Sequence, residues 1–250
     1  MAYNGGHLGS QASRQDPFFV LSTEANRSTI VPLLMRFAVL PSKPLAFAKS
    51  RLAAHLGDAD RRALCYAMFH DVLECLCRAQ HVDAVAVVTA DRRFLDLALR
   101  MRTLAIDEGS PRGLNAAAAL GTTRAIEHGA TSVLIVLSDL PMLTAEEIDS
   151  LYADLPPGPH VRVARSHEGL GTNALLRVPP AVVSTRFGGR SYFDHVAAAA
   201  DAGIAHSEVD LPGLRFDIDT IEDLRELRHA LRPTRTLVEA RKIGLLPAAS

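Results

Sequence analysis

The 250 residues lack any apolar run approaching the roughly 18 to 20 that a membrane span needs; runs such as Ala84 to Val88 are strand-sized. They also lack an excess of one charge. Lys and Arg number 27 against 28 Asp and Glu, for a formal charge of -1, which argues against a general nucleic-acid or membrane-surface binder. Cysteine is scarce. Cys65, Cys75 and Cys77 lie in one stretch that reads as helix, and three is an odd number for a disulfide framework, so reduced thiols in a cytoplasm are expected. Residues 1–28 hold no apolar core of signal-peptide length. There is no G-x-x-x-x-G-K-[ST] phosphate loop, no G-x-S-x-G nucleophile elbow, no Cys-x-x-Cys and no convincing histidine pair on a helix. A P-loop, a serine nucleophile and a zinc site are therefore not expected. What remains, 48% hydrophobic and 22% charged residues, is the composition of a globular protein with an ample core.

Apolar strand-length runs alternate with amphipathic stretches. Strands are predicted over 34–40, 82–89, 103–106 and 131–137, and helices over 58–79, 92–101, 114–128 and 144–153. In the first helix Leu64, Met68, Val72 and Leu76 recur every fourth residue. Thr144 followed by Glu147 is a reciprocal capping pair. This alternation implies parallel strands joined by right-handed crossovers. Beyond the turn at 155–159 the rhythm changes: strands at 161–164 and 173–178 flank a short loop and suggest antiparallel or mixed pairing. A helix over 192–202, a strand over 205–209, the segment 214–218 and a helix over 220–231 follow. The expected organisation is a flexible extension over 1–30, one α/β domain over 31–232, and a tail over 233–250 with a short helix at 237–242.

In an open sheet of this kind ligands lie beyond the carboxyl ends of the strands, and four loops there carry chemistry. After the first strand, Lys43, Lys49 and Arg51 form a compact positive rim that can hold a polyphosphate and neutralise a leaving pyrophosphate; a solvated basic loop is the plainer alternative. Gly113, Leu114 and Asn115 open a helix whose free amides suit an anion or a base edge, although Gly and Asn also simply make a turn and a cap. The apolar run 133–137 ends in Ser138-Asp139-Leu140-Pro141, and a carboxylate at the tip of a buried strand needs a partner, for which a divalent cation or a turn amide would serve. In Asp217-Ile218-Asp219 the two carboxylates share a face if the segment is a strand, and such like charges are tolerated mostly where a metal bridges them.

Taken together and in order, P-x-K-P-L-x-x-A-K-S-R-L from Pro41, G-L-N-A-A from Gly113, S-D-L-P-x-L-T from Ser138, G-T-N-A-L-L from Gly171, R-F-G-x-x-S from Arg186 and D-I-D-T-x-E-D-L from Asp217 resemble the 2-phospho-L-lactate guanylyltransferase family. That family includes the phosphoenolpyruvate and 3-phospho-D-glycerate enzymes of deazaflavin coenzyme biosynthesis. The similarity spans about 34–231. It implies a single-domain Rossmann-like mixed sheet of the nucleotidyltransferase type, with GTP and a small phosphorylated acid as substrates. It further implies that Asp139, Asp217 and Asp219 hold Mg²⁺, that Thr172, Gly188 and Ser191 bind the phospho-acid, that Lys43, Lys49 and Arg51 meet the triphosphate, and that Gly113, Leu114 and Asn115 meet the nucleotide. His167, with Ser166 and Glu168, is a candidate reader of the acid. No nucleic acid or membrane is expected; a homodimer contact at the chain ends and a downstream transferase taking the product are the expected partners. A glycosyltransferase of related fold, using Asp217 and Asp219 for its metal, is the competing expectation.

Overall fold

The computed structural model describes residues 34–47, 49–229 and 233–247. The extension expected over 1–30 lies outside them. The elements are β1 (Arg36–Pro41), α1 (Asp58–Arg78), β2 (Ala84–Thr89), α2 (Arg92–Arg100), β3 (Leu104–Asp107), α3 (Leu114–Glu127), β4 (Ser132–Val136), α4 (Ala145–Ser150), β5 (His160–Arg165), β6 (Thr172–Val178), α5 (Ser191–Asp201), β7 (Ala205–Val209), α6 (Pro212–Arg215), α7 (Ile221–Glu226) and α8 (Arg235–Lys242). The strands form one sheet in the order β3-β2-β1-β4-β6-β5-β7. β1 pairs parallel with β2 and β4, whereas β6 runs antiparallel to both β4 and β5. The sheet is thus mixed, with the change of rhythm after residue 155 marking the reversed strand.

Alternating side chains divide between two cores because successive strand residues face opposite ways. Ala38, Leu40, Val85, Val87, Leu134 and Val136 face the layer containing α1, α2 and α8. Phe37, Val39, Ala86, Val88, Val133 and Ile135 face α3 and α5. Both faces of the central strands are covered, which explains their near-continuous apolar runs. Gly121 on α3 sits so close to Val39 and Val88 that a Cβ there would collide with both.

Several boundaries differ from the sequence expectation for identifiable reasons. Residues 216–219 join no strand; Asp217 and Asp219 lie in a loop after the single turn of α6, held by the Ile218 amide donating to the Asp139 carbonyl at 3.0 Å. The shared-face argument for these two carboxylates therefore does not apply. The following helix is opened by a capping box between Thr220 and Asp223 and passes into a 3₁₀ turn at Leu227–His229. The capping box at Thr144 and Glu147 forms as expected. The segment assigned to a tail contains α8, capped by Thr234. Asp71 on α1 accepts from the Arg235 and Thr236 amides, both at 2.9 Å, so this helix packs on the body of the domain.

Candidate active site

The antiparallel course of β6 brings its first residues to the same sheet edge as the carboxyl ends of β1 and β4: the Leu137 amide donates to the Asn173 carbonyl at 3.0 Å. The loops carrying the sequence motifs therefore converge there. Beyond β4 the chain turns at Ser138 and Asp139, and the buried Leu140 anchors the turn. Asp139 Oδ2 accepts from Lys49 Nζ at 2.5 Å, and Asp219 Oδ1 accepts from the same ammonium at 2.6 Å. Arg51 reaches Asp219 Oδ2 at 3.4 Å from a more exposed position. Lys49 adopts left-handed backbone angles of φ 52 and ψ 50, a conformation costing about 1–2 kcal/mol for a residue with a Cβ, and its two ion pairs hold it there.

The electrostatics follow from this arrangement. Burial alone would lower the Lys49 pKa, but the charges of Asp139 and Asp219 outweigh it and raise it well above the ordinary lysine value. Burial pushes Asp219 up, and the Lys49 ammonium and Arg51 more than reverse this, so its carboxyl falls below the usual range. Asp217 moves the other way: burial raises it, the Asn173 hydrogen bond opposes, and the Asp139 charge reinforces the rise. Asp217 Oδ1 accepts from Asn173 Nδ2 at 3.0 Å and lies 3.2 Å from His167 Nδ1.

Of the three aspartates, Asp139 and Asp219 converge on one cation, while Asp217 faces Asn173 and His167. Among the described residues no group of three His, Cys, Asp or Glu side chains forms a ready metal cage. Two observations nevertheless suit a hard divalent cation. The converging donors are carboxylate oxygens, the ligands such ions prefer, and Asp139 Oδ1 is buried without a hydrogen-bond partner. Lys49, expected to face a triphosphate, instead has its charge engaged by these two carboxylates.

The cluster lies in a cleft of about 320 Å³ whose walls include Ser42, Lys43, Leu114 and Ser138. A second recess, of about 270 Å³, continues from it past Lys43 to Gly113 and Leu114. Gly113 has φ 95, a conformation that favours glycine, and it aims the start of α3 at this recess. Asn115 departs from expectation. Its Nδ2 donates to the Phe187 carbonyl and its Oδ1 accepts from the Phe187 amide, both at 2.8 Å, so the carboxamide ties α3 to the 186–191 loop instead of presenting free polar groups.

That loop is fixed from its other side by His195, which is fully buried on α5. The Arg186 amide donates to His195 Nε2 at 2.8 Å, which places the ring proton on Nδ1, 3.1 Å from Thr172 Oγ1. Thr172 accepts from the ring, and its own hydroxyl hydrogen turns elsewhere. Burial, reinforced by nearby Arg177, depresses the His195 pKa to about 4, consistent with a neutral ring. Gly188 and Ser191 lie in the same loop, with the Ser191 amide donating to the Gly188 carbonyl at 3.2 Å. The start of α5 has no side-chain cap; its first amides are met by the backbone instead, Ser191 by the Gly188 carbonyl and Tyr192 by the Leu170 carbonyl at 3.0 Å. Neither Asn173 nor His195 announces itself in the sequence: one sits inside a strand motif, and the other reads as a helix-packing residue.

This fold has known counterparts. A protein from Desulfovibrio desulfuricans G20 assigned to the nucleotide-diphospho-sugar transferases superposes with a TM-score of 0.69, covering 84% of this chain and 95% of its own at 17% identity, a likeness of fold alone. Phosphoenolpyruvate guanylyltransferase of Sphaerobacter thermophilus is 42% identical over 190 residues, 76% of this chain and 91% of that protein. The 2-phospho-L-lactate guanylyltransferase of Methanothermobacter thermautotrophicus is 33% identical over 193 residues, 76% of this chain and 82% of its own length. Fold and relatives together define an enzyme of the nucleotidyltransferase class. The pattern described as guanylyl transferase CofC like matches residues 35–245, and the chain belongs to that family.

Proposed function

We propose that this enzyme transfers the guanylyl group of GTP to the phosphate of a small acid, namely phosphoenolpyruvate, 2-phospho-L-lactate or 3-phospho-D-glycerate, and releases pyrophosphate. The observation that supports this reading most strongly is the convergence of Asp139 and Asp219 on one cationic centre at the sheet edge, beside a recess of nucleoside size.

Both substrates are anions, so the site must first suppress their repulsion. Lys43 and Arg51 line the cleft with positive charge and serve the triphosphate. Asp139 and Asp219 would hold Mg²⁺, with Asp217 completing the acidic set. Bound there, the ion supplies charge neutralisation to the triphosphate and the leaving pyrophosphate. Gly188 and the hydroxyls of Ser191 and Thr172 hold the phosphate of the acid, and His167 beside Asp217 reads the rest of that molecule. A phosphate oxygen of the acid forms a bond to the α-phosphorus of GTP while the bond from that phosphorus to the oxygen bridging to the β-phosphate breaks. The electron pair leaves on pyrophosphate. A phosphate monoester is largely ionised near neutral pH, so the attacking oxygen carries no proton to remove and no general base is needed. Catalysis then consists of positioning and charge stabilisation.

Three further readings accompany this one: a place in deazaflavin coenzyme biosynthesis, delivery of the product to a downstream transferase, and a cytoplasmic setting, supported by a cysteine count of three, odd for a disulfide framework. No helix of the described residues is long and apolar enough to cross a membrane. Incubation with Mg²⁺, GTP and each acid separately tests the reaction. Pyrophosphate should appear only when GTP and an acid are both present; release of a nucleoside diphosphate instead would favour the glycosyltransferase alternative.

A further inference from the structure

The recess beside the catalytic cleft is walled by Pro44, Phe47, Pro111, Leu114 and Ala117, and it shares Ser42 and Lys43 with the cleft containing Lys49, Asp139 and Asp219. A triphosphate lying along that cleft directs its nucleoside into the recess. Its apolar walls, two prolines and an aromatic ring among them, suit the faces of a purine. They carry no information about which purine enters. That information requires polar groups on the rim.

One acidic side chain lines the recess: Glu108, immediately after β3. Its backbone is fixed on both sides. The Glu108 amide donates to the Thr89 carbonyl at 3.3 Å, and its carbonyl accepts from the Ser110 amide at 2.8 Å. The neighbouring Asp107 carboxylate accepts from the Gly109 amide at 2.8 Å, closing the turn without using Glu108. The Glu108 side chain is half-buried, and among the described residues its carboxylate has no hydrogen-bond or ion partner. The other carboxylates near the cleft are engaged, Asp139 and Asp219 by Lys49 and Asp217 by Asn173. A partly desolvated carboxylate kept free at a binding recess is matched to donors brought by a ligand.

Guanine supplies such donors. Its pairing edge presents N1–H and the 2-amino group side by side, at the spacing of the two oxygens of a carboxylate. Adenine presents a lone pair at N1 there. Because an ionised carboxylate only accepts, it forms two parallel charge-assisted bonds with guanine and meets adenine lone pair against lone pair. We propose that Glu108 is the residue that selects guanine, accepting from N1–H and the 2-amino group of GTP. This rests on the reading of the chain as a GTP-dependent transferase and adds the group that makes the nucleotide choice. A site built to bond a polar edge rejects a nucleotide lacking it far more strongly than an apolar pocket could.

The test compares GTP, ITP and ATP in pyrophosphate release by the wild type and by Glu108→Gln. ITP keeps N1–H and lacks the 2-amino group. The wild type should prefer GTP over ITP by roughly tenfold or more, the loss expected for one hydrogen bond to a charged group. In the variant the new side-chain NH₂ opposes the 2-amino group of GTP and leaves ITP less affected. Its kcat/KM for GTP should fall roughly 10- to 100-fold, and its GTP:ITP ratio should collapse toward one. Retained ITP turnover reports that the variant is folded. An unchanged GTP:ITP ratio in the variant, with the wild type active on GTP, overturns the assignment of Glu108 alone. A wild type that does not use GTP overturns the guanylyl-transfer reading and this assignment with it.

Discussion

Replacing Lys49 with methionine, which keeps the length of the side chain and removes its charge, leaves Asp139 and Asp219 facing each other without their shared cation. The Lys49 side chain is only 10% exposed, against 23% for Asp139 and 38% for Asp219. Removing one partner of a buried ion pair costs about 3–5 kcal/mol. The exposure of Asp219 allows solvent to screen part of the resulting repulsion, which brings the expected loss to about 2–3 kcal/mol. For a domain of this size each kcal/mol moves Tm by about 2–4 °C, so Lys49→Met should melt roughly 4–12 °C below the wild type in the absence of divalent ions. Mg²⁺ should reverse much of this. A ligand at one hundred times its Kd stabilises by about 2.7 kcal/mol, and in the variant it competes with no ammonium for the carboxylates. The Mg²⁺-induced rise in Tm should therefore be larger in Lys49→Met than in the wild type, as followed by circular dichroism with and without the ion. Equal melting temperatures without Mg²⁺, or an Mg²⁺ shift no larger in the variant, would refute the argument that these carboxylates form one cation site.

Three further predictions concern the scaffold. His195 has a folded-state pKa of about 4 against 6.5 for the free side chain, so between those values the unfolded chain binds the extra proton. Stability should fall as pH drops from 6.5 to 4, by roughly 3 kcal/mol from this group; denaturant melts of the wild type and His195→Gln should show the slope in the former and its reduction in the latter. The same variant should raise KM for the phospho-acid with little change in KM for GTP, because His195 holds Thr172 and the 186–191 loop and touches neither recess wall. Gly121→Ala forces a methyl against Val39 and Val88 and should cost about 1–3 kcal/mol by overpacking, measured as a lower denaturation midpoint with substrate KM values retained.

Features that depend on short stretches of chain were legible in the sequence. A wholly apolar strand ending in Ser138-Asp139-Leu140-Pro141 marks the tip of β4, and Thr144 with Glu147 marks the start of α4, because both are written in adjacent residues. The mixed sheet was legible too, from the loss of strand-helix alternation after residue 155. The roles of Asn115 and Lys49 were not. Asn115 looks like a ligand-facing amide until its partner, the backbone of Phe187, is known to lie beside it, and that pairing spans 72 positions. Lys49 reads as a phosphate-binding lysine, but the approach of Asp139 and Asp219 from 90 and 170 positions away gives its charge another partner. The shared face considered for Asp217 and Asp219 did not materialise, because alternation of side chains says nothing about whether a neighbouring strand is present to pair. Glu108 carries no local signal, since Asp-Glu-Gly reads as an ordinary turn. Its significance comes from the recess built around it by the loop after β1 and the start of α3.

The measurement closest to the central claim follows the α-phosphorus of GTP. With GTP labelled at that position, Mg²⁺ and phosphoenolpyruvate or another of the three acids, the label should appear in a product joining guanosine to the acid through a diphosphate, with unlabelled pyrophosphate released in equal amount. Asp139→Asn should abolish the transfer. Label recovered only as GTP or GMP with every acid, or undiminished transfer by Asp139→Asn, would contradict the account.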